Sequence, residues 1–256
     1  MVRVLLAGES WVSATIDHKG YDPFPHTQVH IGCEQLLEAL QAWGHDVVHM
    51  RSHDVAVDFP LTSEALDEYD VVILSDVGSN SLLLPPQVFE QGRPAPNRLK
   101  LLREWVHSGG GLMMAGGYLS FQGFRGMANY HGTPIEEILP VQILPYDDRV
   151  ETPEGARGSV SVEHPVTHGL DATWPILLGY QRLVPKEDGQ VISEIEGEPL
   201  VAVREYGQGR TLAFASDISP HWAPTEFMEW SGYSRLFGQA VSWLAGGASQ
   251  SDPDLR

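Results

Sequence analysis

One cysteine, Cys33, stands in 256 residues. That excludes an internal disulfide, a CxxC pair and a cysteine-based metal cluster, and a reducing cytosol is the simple expectation. Basic residues are scarce: 16 Lys and Arg against 34 Asp and Glu leave a net charge of −18. A phosphate backbone or an anionic bilayer repels such a chain, and no basic stripe offsets the repulsion locally. Neither nucleic acid nor a membrane is expected as a partner. Long apolar runs are missing too. The first, Val2 to Ala7, is too short for a signal-peptide core, and none approaches the ~18 residues that a bilayer span needs. The expected location is cytoplasmic.

What is present is apolar content of 42%, enough for one large core. Val2–Ala7 is an apolar run of strand length, ending in Gly8-Glu9-Ser10-Trp11. Residues 12–31, with Gly20, Pro23 and Pro25, read as a loop. Residues 32–43 place Leu36, Leu37 and Leu40 on one helical face, and Gly44 can end that helix. Strands follow at 45–50 and 69–75, the latter running into Asp76-Val-Gly-Ser-Asn80. After a proline-rich link, residues 97–108 form an amphipathic helix with Asn97 as its N-cap. Residues 112–115 are a fourth strand, entering Gly116-Gly117-Tyr118. This alternation predicts an α/β fold: a doubly wound, mostly parallel, flavodoxin-like sheet with helices on both faces. Residues 135–164 carry scattered β-prone pieces. Strand-like stretches at 176–184, 190–195, 199–205 and 210–216, separated by turn residues, extend the sheet with antiparallel hairpins. A closing helix covers 231–245. One domain spans 1–247, and 248–256 reads as a flexible tail.

Ligands of open α/β sheets bind beyond the carboxyl ends of the strands. Those ends deliver Glu9, Ser10 and Trp11, then Asp76 and Asn80, then Gly116, Gly117 and Tyr118, and finally Asp217, His221 and Trp222. The set is polar and aromatic, with three carboxylates and one histidine. Trp11 and Trp222 could wall a pocket for a sugar or heterocycle. The plain alternative is helix capping and turn chemistry. Gly116 and Gly117 could expose backbone N–H groups at a helix start, an anion or oxyanion site in principle, or simply make a tight turn.

No metal and no cofactor is expected. His45, His49 and His53 recur at spacing four, but i and i+4 on a strand lie ~13 Å apart, too far for one ion. His18, His26 and His30, with Asp17 and Asp22, cluster without fixed geometry. Cys33 opens a helix, where the dipole lowers a thiol pKa, although free cysteines mostly behave as small buried hydrophobes. The aromatic C-terminal region, with Trp222, Trp230, Tyr233, Phe237 and Trp243, suits core packing or a subunit interface.

Gly109–Gly123, with its Gly116-Gly117-Tyr118 turn, resembles the strand–elbow–helix of the class I glutamine amidotransferase superfamily. Ser216-Asp-Ile-Ser-Pro-His-Trp222 sits where that family places its histidine. Glu163–Leu170 resembles a loop of trehalose-utilisation-like relatives. Pro220-His221-Trp222, Phe227, Trp230, Gly232-Tyr233 and Trp243-Leu244 look like the amidotransferase-like bacterial cytoplasmic proteins, as do Gly8–Trp11 and Lys19–Asp22. The resemblance implies a cysteine nucleophile on the elbow, a histidine base and a carboxylate two places beyond it. Here the elbow offers Gly117 and Tyr118, and the carboxylate's place holds Ala223. The expectation is an amidotransferase-like protein without the elbow cysteine. It would bind a small polar metabolite such as a carbohydrate derivative, and hydrolyse it if active, with His221 as acid or base supported by Glu9 or Asp217. The alternatives are a catalytically inactive binding or homo-oligomeric assembly protein of the same fold, and a glutaminase using Cys33.

Overall fold

A computed structural model describes residues 1–246. Strands buried on both faces need apolar residues at nearly every position, and the apolar runs of the first half are such strands, apart from the half-buried edge strand Asp46–Met50. They are β1 (Arg3–Gly8), then, beyond an excursion formed by β2 (Ser10–Lys19) and β3 (Asp22–Ile31), β4 (Asp46–Met50), β5 (Val71–Ser75) and β6 (Gly111–Ala115). The second half contributes β7 (Val141–Ile143), β8 (Arg149–Val160), β9 (Thr173–Gln181), β10 (Leu183–Pro185), β11 (Gln190–Ile195), β12 (Glu198–Tyr206) and β13 (Gly209–Phe214). Nine strands form one sheet in the order β4-β1-β5-β6-β13-β12-β11-β8-β9. The first five are mutually parallel. Each later strand runs antiparallel to its neighbour. The expected α/β fold, parallel first and antiparallel after, is therefore the one that forms.

Helices Glu34–Ala42 and Ser231–Leu244 pack together, and Ser52–Asp58, Ser79–Leu83, Arg98–His107 and Pro134–Ile138 form a second group. Asn97 caps its helix as expected: its side-chain oxygen accepts from the N–H groups of Leu99 (3.0 Å) and Lys100 (3.1 Å). Arg98 is buried and its guanidinium donates to the carbonyls of Val55, Ala56 and Val57, closing the end of helix Ser52–Asp58. Phe214, Phe227, Tyr233 and Phe237 are buried, with Tyr233 and Phe237 ring centroids 4.7 Å apart. Most of the C-terminal aromatic cluster is thus core.

Three local expectations need correction. Residues 12–31 are not a loop but the β2–β3 hairpin, paired along its whole length. Residues 135–164 are not merely β-prone, since Pro134–Ile138 is helical before β7 and β8. No helix follows β6: residues 116–133 wind through turns and one 3-10 turn at Phe124–Gly126. The tail expected at 248–256 lies outside the described residues.

Candidate functional site at the strand ends

The parallel order places the switch point between β1 and β5, whose ends are adjacent. Gly8 ends β1 with φ +113°, and a Cβ there would stand 1.8 Å from the Ser75 carbonyl oxygen, so only glycine fits. The chain then enters Glu9 in the left-handed region, φ 50°. At the end of β5, Asp76 does the same, φ 45°. A non-glycine residue in that region is strained, and such strain gathers at functional sites. Here two carboxylates carry it on neighbouring strands.

Glu9 is buried. The Ser75 hydroxyl donates to its Oε2 at 2.6 Å, and Ser219 hydrogen-bonds it as well. Burial, then the charges of Asp217 and Asp76, push its carboxyl pKa well above the usual range. The Ser219 hydroxyl donates to Asp217 Oδ1 (3.1 Å), which also accepts the Ser219 N–H at 3.0 Å. The same hydroxyl reaches Glu9, and its hydrogen bond, like that of Ser75, favours the Glu9 carboxylate against the burial that disfavours it. Asp217, at the turn after β13, is buried, and its Oδ2 lies 3.5 Å from His221 Nδ1. A chain of polar groups thus runs from Glu9 through Ser219 and Asp217 to His221 at the surface. Asp76 flanks it. Burial, then the Asp217 charge, raise the Asp76 pKa to about 6, while its Oδ1 accepts the Leu119 N–H at 2.6 Å.

The expected elbow is built against a nucleophile. A Cβ on Gly116 would stand 2.4 Å from Gln181 Oε1 and 2.7 Å from the Ala215 carbonyl oxygen; one on Gly117, at φ +143°, would stand 3.0 Å from Asp76 Oδ1. The Gly116 N–H donates to Phe214 O (2.9 Å) and Ser216 O (2.8 Å), and the Gly117 N–H reaches Gln181 Oε1 at 3.4 Å. These groups are occupied within the protein and, with no helix following, gain nothing from a helix dipole. The tight-turn alternative describes the two glycines.

Tyr118 is partly exposed beside His221. Its ring stacks on Phe124 (5.4 Å) and meets His221 edge-on at 4.2 Å, with the Arg149 guanidinium 4.6 Å from its centroid. Trp222 stacks beside His221 but is buried, and its indole N–H donates to Glu151 Oε2 at 2.9 Å. Trp11 stands elsewhere, exposed on β2 and stacked on His30 at 5.2 Å. The two tryptophans do not line one wall. Ser10 is buried in a reciprocal clamp: the Ser52 N–H donates to its hydroxyl (2.8 Å) and its own N–H reaches Ser52 Oγ (3.4 Å). Asn80 is exposed on helix Ser79–Leu83.

Cys33 is fully buried, and burial followed by the Glu9 charge raises its thiol pKa to about 12. The expected lowering by the helix start does not occur, because desolvation exceeds it. Among the described residues, no three His, Cys, Asp or Glu side chains converge to hold a metal ion. Of the histidines on the hairpin, His26 faces Asp17 at 3.5 Å. His49 Nε2 lies 2.9 Å from the Gly8 carbonyl oxygen, and His45 is buried against the Gly238 carbonyl.

Sequence reasoning missed Ser75 and Ser219, which join the carboxylates, and Gln181 and Glu151, which arrive from β9 and β8. The Asp-x-Ser spacing of Asp217 and Ser219 is an Asx-turn signal that could have found the second serine.

A family model described as "Putative glutamine amidotransferase" matches residues 3–246. Among solved structures, a cytoplasmic protein from Salmonella typhimurium is 43% identical with a TM-score of 0.90, over 94% of this chain and 98% of that one. A second, from Salmonella typhimurium LT2, is 41% identical with a TM-score of 0.90, over 94% and 99%. A ThuA-like protein from Parabacteroides merdae shares the fold at 15% identity and TM-score 0.60, over 98% and 93%. No curated protein matches the chain.

Proposed function

This chain belongs to the glutamine amidotransferase-like family, and on that premise we propose that it binds a small polar metabolite at the ends of β1, β5, β6 and β13. His221 is the group that meets the ligand. Asp217 orients it, and Glu9 behind Ser219, its pKa raised by burial, is the proton reserve of the pair. The observation that carries this reading is the pair of strained carboxylates, Glu9 and Asp76, side by side at the switch point. A fold with no use for them would relax both turns with glycine or asparagine. The chemistry that fits is acid–base, including hydrolysis by water that His221 activates. Thiol chemistry does not fit, because Gly116 and Gly117 leave no room for a nucleophile and Cys33 is buried. The net charge of −18 favours a small ligand over nucleic acid or an anionic membrane. The single cysteine and the relatives' description as cytoplasmic favour the same compartment here.

A second reading, ligand binding without turnover, has its own support: the backbone N–H groups of Gly116, Gly117 and Leu119 are already satisfied, so no ready oxyanion site stands at the turn. One experiment separates the readings. Purified protein is assayed for ammonia release from glutamine beside Cys33→Ala and His221→Ala, then screened by thermal shift against sugars, sugar acids and amino acids. The expected result is no ammonia above the buffer rate, and ligands that raise the wild-type melting temperature but not that of His221→Ala. A ligand that is also consumed selects the enzyme over the binder. Ammonia release lost in both variants would sink the proposal.

A further inference from the structure

The β2–β3 hairpin is a ribbon without a partner. Its ten pairs, from Ser10–Ile31 to Lys19–Asp22, close on the two-residue turn Gly20-Tyr21. Among the described residues it joins no other strand. The Ser10–Ser52 clamp ties it to the body only at its base. An isolated two-stranded ribbon is marginal in water and needs a surface to lie on.

Its side chains sort by strand parity into two unlike faces. Residues 11, 13, 15, 17 and 19, with their partners 30, 28, 26, 24 and 22, give a mainly polar face: Trp11, Ser13, Thr15, Asp17 and Lys19 against His30, Gln28, His26, Phe24 and Asp22. The opposite face carries Val12, Ala14 and Ile16 against Val29, Thr27 and Pro25. This pattern is that of a strand pair with one side on a core, yet Val12 is 52% exposed, Ile16 62% and Val29 51%. The apolar side faces water.

The edges differ as well. Gly20 at φ +66° sets a type II′ turn, which makes Lys19–Asp22 a hydrogen-bonded pair. Counting back by parity, residues 23, 25, 27 and 29 of β3 and residues 12, 14, 16 and 18 of β2 turn their backbone nitrogens outward. Positions 23 and 25 are prolines, with no N–H to give. The outer edge of β3 thus lacks donors over the half nearest the turn and keeps those of Thr27 and Val29 further back, while that of β2 keeps every donor. A head-to-tail chain of ribbons, β2 on β3, would grow without limit. The two missing donors on β3 disfavour that chain against a two-fold arrangement, which closes.

We propose that this ribbon is a dimerisation arm, its Val12–Ile16–Val29 face covered by the same arm of a second copy of this chain about a two-fold axis. Charge favours a copy over a foreign partner. A chain of net charge −18 repels its own kind over most of its surface, but the arm's only Asp, Glu, Lys or Arg residues are Asp17, Lys19 and Asp22. It is the stretch where two such molecules can approach. Ten residues at ~3.3 Å each make an arm roughly 33 Å long, enough for two arms and their flanks to approach the ~1,200 Å² at the lower end of specific interfaces. The reading places the subunit contact on the arm and not on the C-terminal aromatics, which the core has absorbed.

Sedimentation equilibrium of the full chain tests it, with Val12→Glu/Ile16→Glu beside Thr15→Glu on the polar face. All these positions are exposed, so circular dichroism at 25 °C should show the body of each variant folded, and any fall in the double variant's melting temperature should track its lost association. The expected result is a wild-type dimer, at least a hundredfold weaker association for the double variant, and less than a threefold change for Thr15→Glu. A wild type that is monomeric throughout the micromolar range would overturn the proposal and leave the face to another partner. A dimer that survives the double variant, or one that Thr15→Glu dissociates equally, would overturn it too.

Discussion

The parallel half of the sheet is built from strands of 5–6 residues and the antiparallel half from strands of 6–12, and the two do different work. β1, β5, β6 and β13 end together, and the turns beyond them hold Glu9, Asp76 and Asp217, strained or buried and close to one another. From the antiparallel half, Gln181 and Glu151 reach the site by pinning Gly117 and Trp222. One half supplies titratable groups under strain; the other supplies hydrogen bonds that fix their surroundings. Strain and buried charge cost stability, so the two halves should answer differently to the same substitution.

Glycine gives the largest contrast. Gly8→Ala forces a methyl into the Ser75 carbonyl and into a disfavoured φ. Gly197→Ala, in the β11–β12 turn, has φ +80° but open space around it. The first should lower stability by about 3–5 kcal/mol and the second by about 1–2 kcal/mol, read from urea denaturation. Equal losses would mean that backbone conformation alone decides, and that the β1–β5 packing is looser than described.

Two carboxylates sharpen the comparison. Burial raises both Asp76 and Asp148 to about 6. The sign follows from linkage. Below the ordinary value of 3.8 both states are protonated; between about 4 and 6 the unfolded chain ionises first, so stability falls as pH rises and levels off above 6. Asp76→Asn removes that loss, tolerates the left-handed backbone, and keeps an oxygen for the Leu119 N–H. It should stabilise the protein by roughly 1–3 kcal/mol at pH 8 and by nothing at pH 3.5. Asp148 accepts two N–H groups, Gln122 on one oxygen and Gly123 on the other. Asparagine has one acceptor, so Asp148→Asn should gain less at pH 8 than Asp76→Asn and lose about 1–3 kcal/mol at pH 3.5. Melting curves at the two pH values distinguish these outcomes.

The same division explains what could be read in the sequence. Apolar runs such as Val71–Leu74 announce buried parallel strands, and the residues after them fall at the site by a topological rule. Glu9, Asp76, Asp217 and His221 were legible for that reason. The hairpin was not, because Gly20, Pro23 and Pro25 are loop residues by composition, although the alternation Val12, Ala14, Ile16 carries a strand's period. Gln181 and Glu151 were hidden because their roles depend on pairing across β8 and β9, where the register shifts. The absence of a helix after Tyr118 was masked by Gly116-Gly117, a pair that suits an elbow and a plain turn equally.

Cys33 should give the smallest effect. It closes the ribbon's return to the body, directly after Gly32, whose N–H donates to the Glu9 carbonyl at 3.0 Å. Burial is the first cause of its raised pKa and the Glu9 charge only the second. A thiol reagent at pH 8 should therefore leave the native protein unlabelled for hours and label it fully in denaturant. Glu9→Gln removes the smaller cause and should not open the site. If labelling of Glu9→Gln were instead fast, charge rather than packing would be what silences the thiol, and a cysteine mechanism would return to consideration. If both proteins stay closed, the sulfur belongs to the core, and the chemistry of the strand ends rests with His221 and the carboxylates behind it.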